Sequence, residues 1–386
     1  MKTIRDFDLK GKRVFLRVDF NVPMDKGTIL DDTRIVEAMP TIEYALKAGA
    51  KVILCSHLGR PKGKRVSELS LSPVFEYLQR RLKASVRFLE DITSEEAKNF
   101  VSNLGEGEVL LLENIRFYEG ESKNDPQFAQ LLASFTDVFI NDAFSVCHRA
   151  HASVVGVAEL VKEKGVGFLT EKELKYLTKV IGKPERPFYA IIGGSKVSTK
   201  IGILKNLLPR IDKLIIGGAM ANTFLAALGY KVGASLLESE YLDIAKEIIQ
   251  EAKEQEVKIY LPVDAVVERG EEACEVLLEE IEEGDKIFDI GDETVDYFCS
   301  ALEGAKTLIW NGPLGYFERI PYHWGTIGVA RRVATLNAVT VAGGGDTLSA
   351  LKMAGVLTAF SHTSTAGGAF LEYLEGKELP GLAVLK

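Results

Sequence analysis

Arginine and histidine concentrate in the first half of the chain: Arg34, His57 and Arg60, Arg116, then His148, Arg149 and His151. Guanidinium forks match the oxygens of a phosphate or carboxylate in two-point contacts, so this set suits a small acid that bears a phosphate. The second half carries a different device. Glycine-rich turns close apolar runs at Gly193-Gly194-Ser195-Lys196, Gly217-Gly218 and Gly343-Gly344-Gly345-Asp346-Thr347. Bare backbone amides at such turns suit the phosphate tail of a nucleotide. Two ways of holding a phosphate in one chain are what an enzyme needs to pass a phosphoryl group between two molecules.

The elements that must position these groups follow from hydrophobic patterning. Short runs rich in Val, Ile and Leu alternate with stretches of helical period, which predicts an α/β chain of parallel strands joined by helices. Strands are expected at Arg13–Phe20, Lys51–Ser56, Glu108–Leu112 and Val138–Asn141. In the second half they are expected at Phe188–Ile192, Lys213–Ile216, Lys258–Pro262, Lys286–Phe288, Thr307–Trp310 and Ala338–Val341. Nearly every candidate residue lies just after one of them, where open parallel sheets bind ligands. Thr170–Ile181 reads as a helix capped by Thr170, with Glu171 and Glu173 in its first turn and Leu174 and Leu177 on one face. The break at Gly182-Lys183-Pro184-Glu185-Arg186-Pro187 then opens a second domain.

Composition bounds the remaining possibilities. With 386 residues, 46% hydrophobic and 26% charged, the chain can form two cored domains. No run of about 18 uncharged apolar residues appears, so no membrane span is expected. Met1–Lys12 is charged throughout and lacks a secretory apolar core, which makes the cytoplasm the expected compartment. The cysteines, Cys55, Cys147, Cys274 and Cys299, have no paired spacing, so neither a zinc site nor a disulfide framework is expected. A net charge of -8 argues against a nucleic-acid partner and makes the local arginine cluster more informative.

Individual motifs differ in weight. Asp19-Phe20-Asn21-Val22-Pro23 could line a pocket or form an Asx turn. His57-Leu58-Gly59-Arg60-Pro61 can project two cations from a strand end or be a solvated loop. The run from Asn141 to His151 places two histidines and an arginine after a strand. No third histidine or cysteine stands at ligand spacing, so a metal there is disfavoured. In the Gly193–Lys200 turn, Lys196 and Lys200 are expected to share a helical face near a helix N-terminus, a placement that only an anion makes favourable. The turn lacks the spacing of a P-loop and of a dinucleotide fingerprint. Asp346 could bind Mg²⁺ on nucleotide phosphates, while Thr347 is expected to cap its helix. In Trp310–Glu318 the one acid could meet a ribose hydroxyl or only solvent. His362–Gly368 opens another helix with free amides.

Taken together, Arg17–Pro23, Asp31–Ile35, Ser56–Pro61, Leu112–Phe117, His148–Ser153 and the second-half loops make the chain similar to the phosphoglycerate kinase family along essentially its whole length. The resemblance implies a hinge-bending monomer that transfers phosphate between 1,3-bisphosphoglycerate and ADP, giving 3-phosphoglycerate and ATP with Mg²⁺. It also implies two doubly wound domains with the C-terminal tail returning to the first. The ranges would be 1–169 with 371–386, a linking helix at 170–182, and 183–370. Asp19, Asn21, Arg34, His57, Arg60, Arg116 and Arg149 would hold 3-phosphoglycerate. Gly194, Lys196, Lys200, Gly217, Gly218, Phe288, Asn311, Pro313, Glu318, Gly343, Gly344, Gly345, Asp346 and Thr347 would serve the nucleotide, with Asp346 at the metal. Ser145-Val146-Cys147, Tyr322-His323-Trp324, Ser195 and Tyr316 depart from the family's usual residues.

Both nucleophiles of that reversible reaction are ionised at neutral pH, so no general base is required, and none is evident. Positioning and cation contacts should carry catalysis, with Arg34, Lys196, Lys200, Mg²⁺ and the Gly367 and Gly368 amides as the expected set. A nicotinamide-dependent dehydrogenase would need a glycine fingerprint that is absent. A non-catalytic two-lobed phosphometabolite-binding protein would share the architecture, but would have no use for two kinds of phosphate site.

Overall fold

A computed structural model describes residues 1–386. The chain divides into two compact units, Met1–Leu174 with Glu378–Lys386, and Lys175–Lys377. The division falls inside the helix Phe168–Gly182. No helix is long and apolar enough to cross a membrane.

The first unit is built on strands β1 (Arg13–Arg17), β2 (Lys51–Cys55), β3 (Val86–Leu89), β4 (Val109–Leu112), β5 (Val138–Asn141) and β6 (Glu163–Val166). They form one parallel sheet in the order β3-β4-β2-β1-β5-β6. Alternation explains why both faces are covered. Val14, Leu16, Val52, Leu54, Leu111 and Ile140 point into one core. Phe15, Ile53, Cys55, Leu110, Leu112 and Phe139 point into the other, as a sheet buried on both sides requires. The helix Thr33–Lys47 buries Ile35, Ala38, Met39, Ile42 and Ala45, a 3.6-period stripe that sets Arg34 in its first turn.

The second unit repeats the plan with β7 (Phe188–Ile192), β8 (Lys213–Ile216), β9 (Lys258–Tyr260), β10 (Asp264–Arg269), β11 (Glu272–Leu277), β12 (Lys286–Ile290), β13 (Thr307–Asn311), β14 (Val339–Gly343) and β15 (His362–Ser364). Its parallel sheet runs β9-β8-β7-β13-β14-β15. The strand order reverses between β7 and β13, which makes the loops after those two strands the expected binding crevice.

Several sequence expectations change. Lys286–Phe288 belongs not to the parallel sheet but to a three-stranded antiparallel one, β11-β10-β12. Strands β3, β6, β10, β11 and β15 lie outside the expected set; β3 and β6 are interrupted by charge, β10 and β11 alternate acid with apolar residues, and β15 is only three residues long. The linking helix starts at Phe168, so Thr170 does not cap it. Asp142 does so from the loop after β5, its Oδ1 accepting from the amides of Leu169 at 2.8 Å and Thr170 at 3.1 Å. Burial pushes the Asp142 carboxyl up to about 7, against the hydrogen bonds it receives.

Candidate active site

In the first unit four loops, one after each of β1, β2, β4 and β5, bring the predicted residues together. Arg34 Nη1 donates to Asp19 Oδ2 at 2.6 Å, an ion pair that offsets an arginine at a helix N-terminus. Asn21 Oδ1 accepts from the Gly59 amide at 2.8 Å, and Arg116 Nη1 donates to the Gly59 carbonyl at 2.8 Å. The loop carrying His57 and Arg60 is thus pinned from two sides. Gly59 lies at φ +60, a conformation that L side chains rarely adopt, so glycine is favoured there. Asn114 completes the clamp by bonding both the amide and the carbonyl of Leu58. Asp19 and His57 are buried, whereas Arg60 and Arg149 are exposed.

In the second unit a cavity of about 410 Å³ opens at the β7/β13 crevice. Gly194, Gly218, Phe288, Pro313, Glu318 and Asp346 are among its lining residues. The glycines of its floor do something other than expected. Gly193, Gly194 and Gly218 give their amides to the carbonyls of Asn311, Pro313 and Leu314 at 2.8, 2.9 and 2.8 Å. A Cβ on Gly218, at φ +69, would lie 2.6 Å from the Gly194 oxygen. These glycines let three loops interlock, whereas the first-turn amides of the helix Gly345–Met353 have no partner within their own helix. Thr347 does not cap that helix, because its hydroxyl accepts from the Gly312 amide at 2.8 Å. Lys196 and Lys200 precede the helix Ile201–Leu207 rather than share a face of it. Lys200 Nζ donates to Asn311 Oδ1, and Asn311 Nδ2 donates to the Gly343 carbonyl at 2.6 Å. That chain ties the Lys200 ammonium to the ends of β13 and β14.

The sequence model of the family described as phosphoglycerate kinase matches residues 4–377. The chain belongs to this family. It is 51% identical over 388 residues to the phosphoglycerate kinase of Pelotomaculum thermopropionicum, covering 100% of this chain and 98% of that one. The Clostridium botulinum enzyme is 48% identical over 390 residues, with the same coverage. Among solved structures, phosphoglycerate kinase from Coxiella burnetii superposes with a TM-score of 0.91 at 41% identity, covering 100% of this chain and 98% of the other. The Pyrococcus horikoshii enzyme gives 0.85 at 33%, with the same coverage.

As a phosphoglycerate kinase the chain has local features of its own. Ser145 donates to Asp19 Oδ2 at 2.5 Å, and Cys147 is buried, its carbonyl accepting from the Gly381 amide of the returning segment at 2.8 Å. Tyr316 and Tyr322 pack on Phe288 with centroids 5.8 and 5.0 Å apart, and Arg319 lies over Phe288 and Tyr322. These contacts build an aromatic rim beside the cavity.

The titratable groups of the first unit are shifted by burial and by the clustered cations. Burial holds Arg116 down to about 10, with Arg17 adding to the effect and Arg60 contributing. Burial likewise lowers His148 to about 4, reinforced by Arg149, His151 and Arg116. Asp19 goes the other way: burial opposes its charge, but Arg34, the Ser145 hydroxyl and the Asn21 amide help hold it at about 2. In the second unit, burial lowers Lys200 while Asp346 and Glu375 support its charge.

Sequence reasoning missed Arg17, Glu121 and Ser153, all fully buried beneath the cations. The available signal was an arginine inside an apolar strand, Val14-Phe15-Leu16-Arg17-Val18. Asp289 was missed too. It lines the cavity, and its Oδ2 accepts from the Gly325 amide at 2.8 Å at the head of the helix Trp324–Ala334.

Proposed function

We propose that the chain catalyses reversible transfer of a phosphoryl group between 1,3-bisphosphoglycerate and ADP, yielding 3-phosphoglycerate and ATP. The observation that carries this reading is the basic chamber of the first unit. Arg34, Arg60, Arg116 and Arg149 gather in an acidic protein around one buried carboxylate, Asp19, and burial, with Arg17 and Arg60 nearby, holds Arg116 down to about 10. Such a concentration is unfavourable unless an anion completes it. Family membership specifies the anion.

In this reading Asp19, Asn21, Arg34, His57, Arg60, Arg116 and Arg149 hold the three-carbon acid, with Arg60, Arg116 and Arg149 on its phosphate. The 410 Å³ cavity takes the adenine nucleotide, with Gly194, Gly217, Gly218, Phe288, Pro313 and Glu318 around base and ribose. Lys196, Lys200, Asn311, Gly343, Gly344, Gly345, Asp346 and Thr347 serve its phosphates. Nowhere do three His, Cys, Asp or Glu side chains gather to hold a metal unaided. A single carboxylate, Asp346, in the first turn of a helix and on the cavity wall, fits Mg²⁺, which takes few protein ligands and completes its shell with water and phosphate. When bound, Mg²⁺ would neutralise charge on the nucleotide phosphates. Arg34, Lys196, Lys200 and the Gly367 and Gly368 amides then stabilise the equatorial oxygens of the group in flight, and no side chain need remove a proton. Transfer follows a hinge closure between residues 1–169 with 371–386 and residues 183–370 about the 170–182 helix. Membership of a glycolytic family favours the cytoplasm and a monomer.

A coupled assay of ATP-dependent 3-phosphoglycerate phosphorylation tests the reading. Turnover requiring both substrates is expected, and saturable binding of both without turnover would favour the non-catalytic alternative.

A further inference from the structure

Beneath the basic chamber lies a relay of buried polar groups that the proposed chemistry does not use. Glu121, in the short helix Glu119–Ser122, accepts from the Ser153 amide at 2.8 Å through Oε2 and from the Ser153 hydroxyl at 2.6 Å through Oε1. The Ser153 oxygen accepts from Arg17 Nε at 2.9 Å. Arg17 Nη1 donates to the Val18 carbonyl at 2.6 Å, and Nη2 stands 3.3 Å from His57 Nδ1. Arg17, Glu121 and Ser153 have no exposed surface, and His57 is 4% exposed. Ser153 belongs to a single π-helical turn, Ala152–Gly156, in which the amides of Val154, Val155 and Gly156 converge on the His151 carbonyl. Such turns are rare and gather at functional positions.

Burying a guanidinium at the end of a central strand and a carboxylate on the helix beside it is costly where leucine would pack at less expense, so the pair calls for a role beyond stability. Hydrogen-bonding capacity identifies it. A guanidinium has only donors, so a bond from Arg17 Nη2 obliges His57 Nδ1 to accept, and the ring proton must then sit on Nε2. Ser153 oxygen accepts from Arg17 and donates to Glu121, so each atom of the relay has one consistent polarity. Glu121 remains ionised below the ordinary carboxylate range although buried, since His151, Arg17 and Ser153 outweigh the burial.

We propose that Arg17, held by Ser153 and Glu121, is a positioning residue that fixes His57 as the Nε2–H tautomer, making it a one-way hydrogen-bond donor to the acid end of the substrate. The role toward substrate rests on the functional reading above; the tautomer does not. His57 so held cannot act as a general base, because Nδ1 is occupied and Nε2 already carries its proton. The charged groups facing the ring are Asp19, Arg34, Arg17 and Arg116. Burial and the three arginines together hold His57 well below its ordinary range despite Asp19, so the neutral ring persists at pH 7.

The test is long-range proton–nitrogen NMR of the full chain labelled with ¹⁵N-histidine, His57 being assigned through His57→Gln. The expected spectrum shows a bare Nδ1 and a protonated Nε2 for His57, unchanged between about pH 6 and 8. A proton on Nδ1, or a doubly protonated ring at pH 7, would overturn the proposal. Arg17→Met should yield mixed tautomers and raise KM for 3-phosphoglycerate about tenfold, the scale of one net hydrogen bond, with KM for ATP unchanged. If circular dichroism shows that variant unfolded, Ser153→Ala should give the same changes and Ser153→Thr should restore them; a wild-type spectrum and KM in a folded Ser153→Ala would also overturn the proposal. If wild-type protein shows the Nε2–H ring but no phosphorylation of 3-phosphoglycerate, the functional reading fails and the tautomer assignment stands.

Discussion

Replacing Lys200 with methionine keeps the aliphatic stem and deletes the ammonium, which isolates what that charge does. Two effects follow from the structure. Asn311 is 2% exposed, and its Oδ1 loses the Lys200 donor while Nδ2 keeps Gly343. A buried acceptor left unpaired costs about 1–3 kcal/mol, which lowers Tm by about 2–4 °C per kcal/mol in a unit of this size. The chemical effect is larger. Lys200 is drawn partly out of water, and burial lowers its pKa, so its charge faces a site where a contact made in the transition state is worth about a hundredfold to a thousandfold in rate. Steady-state kinetics should show kcat down by about that factor, with KM for ADP altered less than about threefold, because a contact strengthened only in the transition state leaves ground-state binding alone. A variant with unchanged kcat and a KM raised a hundredfold would refute the reasoning and reduce Lys200 to a nucleotide ligand.

Other expectations are more compact. Asp19 is held at about 2 against an ordinary 3.8, so its contribution to stability is complete above about pH 4 and is lost as pH falls toward 2. On that basis Asp19→Asn should cost about 2 kcal/mol at pH 7, and the gap to wild type in urea unfolding should close near pH 2. The clustered cations predict that 3-phosphoglycerate stabilises the wild type by roughly 2–3 kcal/mol of linkage at a hundredfold excess over Kd, seen as a raised Tm, and that Arg116→Gln abolishes most of the rise. Adding EDTA should abolish turnover while calorimetry still registers 3-phosphoglycerate binding; turnover that survives exhaustive chelation would remove Asp346 from its proposed metal role.

Strand cores were legible where the apolar run is unbroken: Val138–Asn141, Phe188–Ile192 and Lys213–Ile216 match to the residue. Three edge strands and two antiparallel ones were not, because β3 and β6 carry charge inside the run, β15 has only three residues, and β10 and β11 alternate acid with apolar residues. Periodicity loses its contrast in such segments. Candidate residues of the first unit were named from their places after strands, and the structure sets Asp19, Arg34, His57, Arg60 and Arg116 close enough to act on one another electrostatically. What spacing could not show is which donor each group meets. Asp142 reaching Leu169 and Thr170, Arg17 reaching His57, and glycine amides spent on neighbouring loops are all contacts made across the sequence. Only the fold creates them.

Segment Glu378–Lys386 packs with Met1–Leu174, after the whole of Lys175–Lys377 has intervened. A ribosome making this polypeptide therefore releases a nearly complete amino-terminal body that lacks its final wedge, with Leu382 and Leu385 buried there only at the end. The later-coded body is in effect spliced into the earlier one and can mature first, reversing the usual order of vectorial folding.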